Sequence, residues 1–437
     1  MIINFSVENF GSIKEKQTLS FLANKSDHLE DYYIIEPIKG LRLNKLALIY
    51  GANASGKTTV LKALDFLRKI CTEPFDKKTE KFDFEPFLFD EKTPKQNTKF
   101  ELEFVQNGIK YFYEVELNKN CIVKERLYNF NPNKALVFER STDEARELTS
   151  IRFGRKILKR KHLEESLEIF TLWNNTVIAG FLKSNVEKFS PVEAVINNLI
   201  DYFIDEHKSF EQNVSNLISD SFINKKFILN VLKKADFNIV DIIVEVNKIP
   251  YSDQQVDSIS RFYTDEGKSL LFKLHKNQDL YHSEVKTEFI HSSKERFYNI
   301  PIGMESDGTR KYYGISSILN NLIFYNSIQC VDELESSLHP DLFNHFLLTY
   351  LVNGKKESQL IATTHNREIL NNRDIFRDDA IWFTDKNEDS ATDLYSLADF
   401  DSSVVRDTSN VLNAYKSGKL GGVPNLGDYY IDLEDGE

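Results

Sequence analysis

The stretch Gly51-Ala52-Asn53-Ala54-Ser55-Gly56-Lys57-Thr58 limits this chain more than any other feature of its sequence. It fits G-x-x-x-x-G-K-[ST] in full. It follows the apolar run Leu46 to Tyr50 and opens residues 58–70, whose apolar positions recur at helical spacing. Strand, glycine loop and helix in that order make an anion cradle. Glycines let the backbone curl so that several N–H groups face one phosphate. The helix that follows adds the positive end of its dipole. Lys57 supplies a point charge for β- and γ-phosphates, Thr58 a hydroxyl ligand for Mg²⁺, and Thr59 extends the cradle into the helix. Only 17 of the 437 residues are glycine, so a glycine cluster is no accident of composition.

A second run carries acids. Ser327 to Val331 reads as a short strand that ends in Asp332-Glu333. Two acids after a strand are most often a solvated strand end. Beside a phosphate loop, Asp332 is placed to hold Mg²⁺ and Glu333 to polarise an attacking water. Gln329 interrupts the apolar pattern expected of a strand buried on both faces. A third strand, Gln359 to Thr364, ends in His365, which is placed to hydrogen-bond a γ-phosphate or the attacking water.

Composition narrows the class. Hydrophobic residues make up 41% and charged residues 28%, as in globular chains of two or three structural units. The net charge of −12 excludes binding nucleic acid by bulk charge; contact would need a local patch. The candidate is Arg152, Arg155, Lys156, Lys159, Arg160 and Lys161, six cations in ten residues. The three cysteines, Cys71, Cys121 and Cys330, form no disulfide framework or metal pair. No signal peptide opens the sequence and no apolar run approaches a membrane span, so a cytoplasmic location without membrane contact is expected.

Along the chain, residues 1–50 read as short strands. Phe100, Leu102 and Phe104, the turn Asn107-Gly108, and Tyr111, Tyr113, Val115 and Leu117 predict a β-hairpin. Residues 155–235 show helical periodicity, 237–250 read as strand and 268–291 as a hairpin. Three regions follow: 1–150 with the phosphate loop and a β-lobe, a mostly helical insertion at 151–294, and 295–437 with the remaining chemistry.

These residues together resemble the ABC-type ATPases, the superfamily of SMC, RecF, MutS and overcoming-lysogenization-defect (OLD) proteins. In that family Gly51 to Thr58 would be Walker A and Asp332-Glu333 the end of Walker B. Glu305-Ser306-Asp307-Gly308-Thr309-Arg310 is similar to the signature loop that one subunit lends to the γ-phosphate of another, through Ser306 and Gly308. Ser337-Leu338-His339 matches the D-loop, His365 the switch histidine, and Asn9-Phe10-Gly11-Ser12-Ile13 the opening strand of RecF- and SMC-like heads. No Q-loop glutamine stands at the usual place. Lys57 and Asp332 lie 275 positions apart, and no heptad run joins them, which argues against a transporter subunit or a true SMC protein. With the tail from Arg406 onward, Asn413 to Pro424 included, the set is similar to the OLD-like AAA ATPases of bacterial anti-phage operons, such as RloA, the AbiL ATPase and the AriA subunit of the PARIS system.

The resemblance implies an α/β fold, an ABC-type P-loop ATPase head with an antiparallel β-lobe and a largely helical insertion. It implies ATP and Mg²⁺, catalysis by Lys57, Glu333 and His365, and nucleotide contacts from Gly51, Asn53, Ala54, Ser55, Gly56, Lys57, Thr58, Thr59, Ser306 and Gly308. Thr58 and Asp332 would hold the metal. It implies a homo-oligomer, a dimer of heads or larger, that controls a separately encoded effector such as a TOPRIM-type nuclease, with DNA or a phage protein as trigger. The alternative is a RecF-like repair ATPase, which needs the cationic patch. A single-chain OLD nuclease is not expected, since 72 residues after His365 are too few for a TOPRIM domain. A non-hydrolysing module would need a broken catalytic set, and Glu333 is intact.

Overall fold

A computed structural model describes residues 1–155, 160–185, 189–200, 202–204, 210–235, 237–260, 273, 276, 281–354, 356–400 and 411–424. The chain divides into two compact units. The first comprises Met1–Glu206, Leu322–Glu335 and Leu347–Glu437; the second comprises His207–Asn321 and Ser336–Phe346. No helix among the described residues is long and apolar enough to cross a membrane.

The first unit holds two sheets. One has six strands in the order Tyr202–Ile204, Ile328–Val331, Gln359–Thr363, Leu46–Gly51, Ile381–Lys386 and Thr392–Ser396. The first five are parallel and the last is antiparallel. Strands buried on both faces read as continuous apolar runs, and Leu46–Gly51 is buried at every position. Gln329 does not break that rule in space: Ile328–Val331 is buried throughout, with Gln329 at 2% exposure. The strand ending at His365 lies between the phosphate-loop strand and the acid strand. All three therefore deliver their carboxyl ends to one edge, where open α/β sheets bind ligands.

The other sheet is an antiparallel lobe of seven strands in the order Leu148–Phe153, Lys134–Asp143, Ile122–Phe130, Ile109–Leu117, Thr98–Gln106, Ile2–Glu8 and Gln17–Ser20. The expected hairpin is present. Gln106 pairs with Ile109, and Asn107 and Gly108 take left-handed φ values of 52° and 72°, as a two-residue turn requires. Its alternating apolar residues face the helix Lys57–Thr72, with the Phe66 and Phe100 rings 5.7 Å apart. Gln359 joins the two sheets: its Oε1 accepts from Ile2 N at 2.6 Å and its Nε2 donates to Ile2 O at 2.9 Å.

The phosphate-loop helix is tied at its far end by buried polar groups. Thr176 Oγ1 donates to Ile70 O at 3.1 Å. Next to it, Val177 N donates to Glu125 Oε2 at 2.7 Å and Tyr113 Oη to Glu125 Oε1 at 2.9 Å. Burial pushes the Glu125 carboxyl from 4.5 up to about 7, against the lowering charge of Arg140 and these hydrogen bonds. A carboxyl whose folded pKa is raised contributes stability that is present below its unfolded value and lost as pH rises through the folded one. Wild type should therefore lose about 3 kcal/mol relative to Glu125→Gln between pH 4.5 and 8, most of it by pH 7. Urea midpoints of both proteins across that range test this; parallel profiles would refute it.

In the second unit, Ile239–Pro250, Tyr281–Ser293 and Arg296–Pro301 form an antiparallel sheet. Most of the first half of the hairpin expected at 268–291 lies outside the described residues, and a hairpin joins Tyr281–Ser293 to Arg296–Pro301. Its turn is Lys294-Glu295, both at positive φ (47° and 63°), residues that carry none of the usual turn chemistry. Helices Phe210–Ser219 and Lys225–Lys234 belong to the same unit. Ser215 Oγ lies 3.0 Å from Tyr313 Oη and accepts from Thr287 Oγ1 at 2.7 Å, which ties helix 210–219 to sheet and to helix Asp307–Phe324.

Candidate functional site

The strand Leu46–Gly51 ends at the loop and the helix Lys57–Thr72 starts at its far side. Gly56, at φ 111°, makes the entry to the helix, a conformation that L side chains rarely adopt. An added carbon there would also collide with the side chain of Thr392. The helix carries no acidic residue of its own in its first turn. Ser55, buried, is held from two sides. Its Oγ is 2.6 Å from Thr384 Oγ1, and its carbonyl accepts from Thr392 Oγ1 at 2.8 Å. Ser12 Oγ lies 2.8 Å from Thr392 Oγ1 and donates to Thr59 Oγ1 at 3.1 Å, so the Asn9–Ile13 segment braces the start of the helix.

Lys57 is buried, and its Nζ donates to Gly51 O at 2.9 Å and Ala52 O at 3.1 Å. Burial holds its ammonium below the ordinary lysine value, while the charges of Asp332, Glu333 and Glu335 oppose that shift. Thr58 Oγ1 donates to Asp332 Oδ2 at 2.8 Å. Thr363 Oγ1 donates to the other oxygen, Asp332 Oδ1, and accepts from Glu333 N at 2.8 Å. One threonine thus orients both acids. Glu333 is exposed and sits at φ 47°, a left-handed turn that follows the strand end. His365, also exposed, is held through its backbone N–H by Glu335 Oε1. The structure therefore brings Lys57, Thr58, Asp332, Glu333 and His365 to one sheet edge. The paired hydroxyl and carboxylate of Thr58 and Asp332 are hard oxygen donors that fit Mg²⁺.

A cavity of about 680 Å³ runs along the helix that follows the loop, from Gly11 and Thr59 past Lys62 and Phe66, with Phe10 and Phe84 among its other lining residues. Ser306 and Gly308 belong to the second unit. There Ser306 Oγ accepts from Thr309 N at 3.1 Å and caps helix Asp307–Phe324, with Gly308 in its first turn. An added carbon at Gly308 would stand 3.1 Å from Ser337 O, so the signature-like and D-loop-like residues are neighbours within that unit. Of the cationic stretch, Arg152 is paired with Glu139, Arg155 is exposed, and Lys156 and Lys159 lie outside the described residues.

The sequence profile of a family described as "AAA domain, putative AbiEii toxin, Type IV TA system" matches residues 46–175 and 181–371. The chain belongs to this family. The match takes in the phosphate loop, both acids, Ser306, Gly308 and His365 of the AAA domain. No curated protein matches the chain in sequence. Among solved structures, the SMC head domain from Thermotoga maritima is 12% identical, covers 90% of this chain and 98% of that one, and has a TM-score of 0.37. An SMC head bound to the C-terminal winged-helix domain of ScpA is 10% identical, with 90% and 97% covered and a TM-score of 0.42. An SMC head with an extended coiled coil, bound to the C-terminal domain of ScpA derived from Pyrococcus furiosus, is 11% identical, with 96% and 98% covered and a TM-score of 0.36.

The AAA domain's fold is the α/β head expected: a largely parallel sheet carrying the phosphate-loop and acid strands, with an antiparallel β-lobe. Sequence reasoning missed Thr363, Glu335, Thr384 and Thr392. Only a residue-level strand register, parallel for Thr363 and Thr384 and antiparallel for Thr392, would place these threonines beside Asp332 and Ser55.

Proposed function

We propose that this AAA domain binds and hydrolyses ATP and acts as the switch of an anti-phage complex. The observation that carries the hydrolytic reading is the 2.8 Å bond from Thr58 to Asp332, with Thr363 holding Asp332 and Glu333 together. Backbone N–H groups of Gly51 to Thr58, the helix N-terminus and Lys57 receive the phosphates, and the cavity beside Thr59 and Gly11 takes the nucleoside. Thr58 and Asp332 hold Mg²⁺, which when bound neutralises charge on the phosphate oxygens. Glu333 accepts the proton of a water whose oxygen bonds to the γ-phosphorus as the bond to the β,γ-bridging oxygen breaks. His365 stabilises the γ-phosphate. A second copy lends Ser306 and Gly308 to complete the site.

Membership in a toxin–antitoxin family supports the wider reading. In that reading the chain forms a homo-oligomer and controls a separately encoded effector, such as a TOPRIM-type nuclease, in response to DNA or a phage protein. The insertion at 151–294 makes the partner contacts. Phosphate release from ATP and Mg²⁺ by the purified chain tests the core of this proposal. Lys57→Ala should lower it by about a hundredfold, as loss of one preorganised charge does. Equal rates in the two proteins would overturn it.

A further inference from the structure

The tail Asn413 to Pro424 has no part in the chemistry above, yet its backbone lies against the first residue of the phosphate loop. Helix Val411–Lys416 buries Tyr415, whose ring stacks on Phe383 at 5.5 Å and meets Tyr50 edge-on at 6.1 Å. Tyr50 is the residue before Gly51. The helix stops where Gly418 N donates to Tyr415 O at 2.9 Å and Lys419 N to Ala414 O at 3.1 Å. The turn then passes through Gly421 and Gly422, at φ 64° and 65°. Its seat is specific. Gly422 N donates to Asp385 Oδ2 at 3.0 Å, Tyr395 Oη to Leu420 O at 2.9 Å, and Tyr415 Oη to Gly422 O at 2.9 Å. A carbon added at Gly421 would collide with the Tyr395 hydroxyl and stand 2.7 Å from Asp385 Oδ2. One added at Gly422 would stand 3.5 Å from Gly51 Cα and from Thr384 O. Thr384, which grips Ser55 inside the loop, directly precedes the Asp385 that grips the turn.

We propose that the Tyr415–Gly422 turn is a positioning element for the phosphate loop. It contributes no phosphate ligand. It fixes the backbone at Gly51 and Thr384 from outside, so the loop's N–H groups are aimed before nucleotide arrives, and preorganisation of that kind raises affinity. Linkage then makes the effect mutual: nucleotide in the loop tightens the seat of the tail by the same factor. This rests on the reading that Gly51 to Thr58 bind nucleotide phosphates.

The test uses the full chain and two variants. Gly421→Ala forces a side chain into a left-handed position and against Tyr395; Tyr415→Phe removes one hydroxyl and keeps the ring. Gly421→Ala should raise the ATP dissociation constant and KM about tenfold, Tyr415→Phe about fivefold, with kcat within about twofold of wild type. Lys416 and Lys419 are exposed on the turn, so tryptic cleavage after them reports its seat. In wild type, saturating ADP and Mg²⁺ should slow that cleavage about fivefold or more. This arm needs no variant and stands even where Gly421→Ala does not fold. Wild-type affinity in Tyr415→Phe together with tail cleavage indifferent to nucleotide would overturn the proposal. Failure of wild type itself to bind ATP would instead overturn the reading beneath it.

Discussion

Glu333→Gln is expected to bind ATP within about threefold of wild type and to turn it over 10²- to 10⁴-fold more slowly, roughly the range a positioned general base supplies. The side chain is exposed at the end of a buried strand, and its backbone N–H is held by Thr363 Oγ1 at 2.8 Å. The amide keeps the shape and that backbone bond and loses only the ability to take a proton. Single-turnover hydrolysis with binding measured in parallel checks this. Binding lost in proportion to turnover would show that Glu333 serves the bound nucleotide rather than the attacking water.

Arg377→Ala is expected to destabilise the first unit by about 3–5 kcal/mol, because it leaves a buried carboxylate without its cation. Arg377 is 1% exposed. Its Nε and Nη2 donate to Asp379 at 3.0 and 2.9 Å, its Nη1 to Ser26 O at 3.1 Å and to His28 O, and Nη2 to Asn24 Oδ1 at 2.9 Å. The guanidinium therefore fastens the 24–28 loop to the segment that starts strand Ile381–Lys386, the strand that carries Thr384 and Asp385. The double variant Arg377→Met with Asp379→Asn should lose clearly less than the sum of its single changes, since neither charge is then stranded. Urea unfolding of wild type, Arg377→Ala, Arg377→Met, Asp379→Asn and the double variant decides both; additive losses in the double variant would show that packing, and not the ion pair, is what matters here.

The grouping of residues at the sheet edge is legible in the sequence wherever a residue type is rare and its spacing strict. Gly51 to Thr58, Asp332-Glu333 and His365 belong to that class, and so does the Asn107-Gly108 turn. The supporting residues were not legible, because threonine at a strand end is ordinary and its partner is set by register. Thr363 reaches Asp332 only because Val331 pairs with Ala362, and Thr384 reaches Ser55 only because it pairs with Gly51. Gln329 misled in the other direction: a polar side chain on a central strand argued against burial, and the strand is buried nonetheless. The turn at Lys294-Glu295 is not legible, because neither residue is a turn former by type.

The position of the histidine strand also governs how His365 can move. Gln359–Thr363 is hydrogen-bonded to a parallel neighbour on each side, and Thr364 N still donates to Ile49 O at 3.0 Å. Sliding the strand would shear two ladders at once. Freedom of the histidine therefore lies after Thr364, in rotation of its ring or in a bend that releases its backbone N–H from Glu335. Whatever displacement starts there passes directly into Arg367–Asn371, the short helical turn on which the C-terminal helix Val411–Lys416 rests.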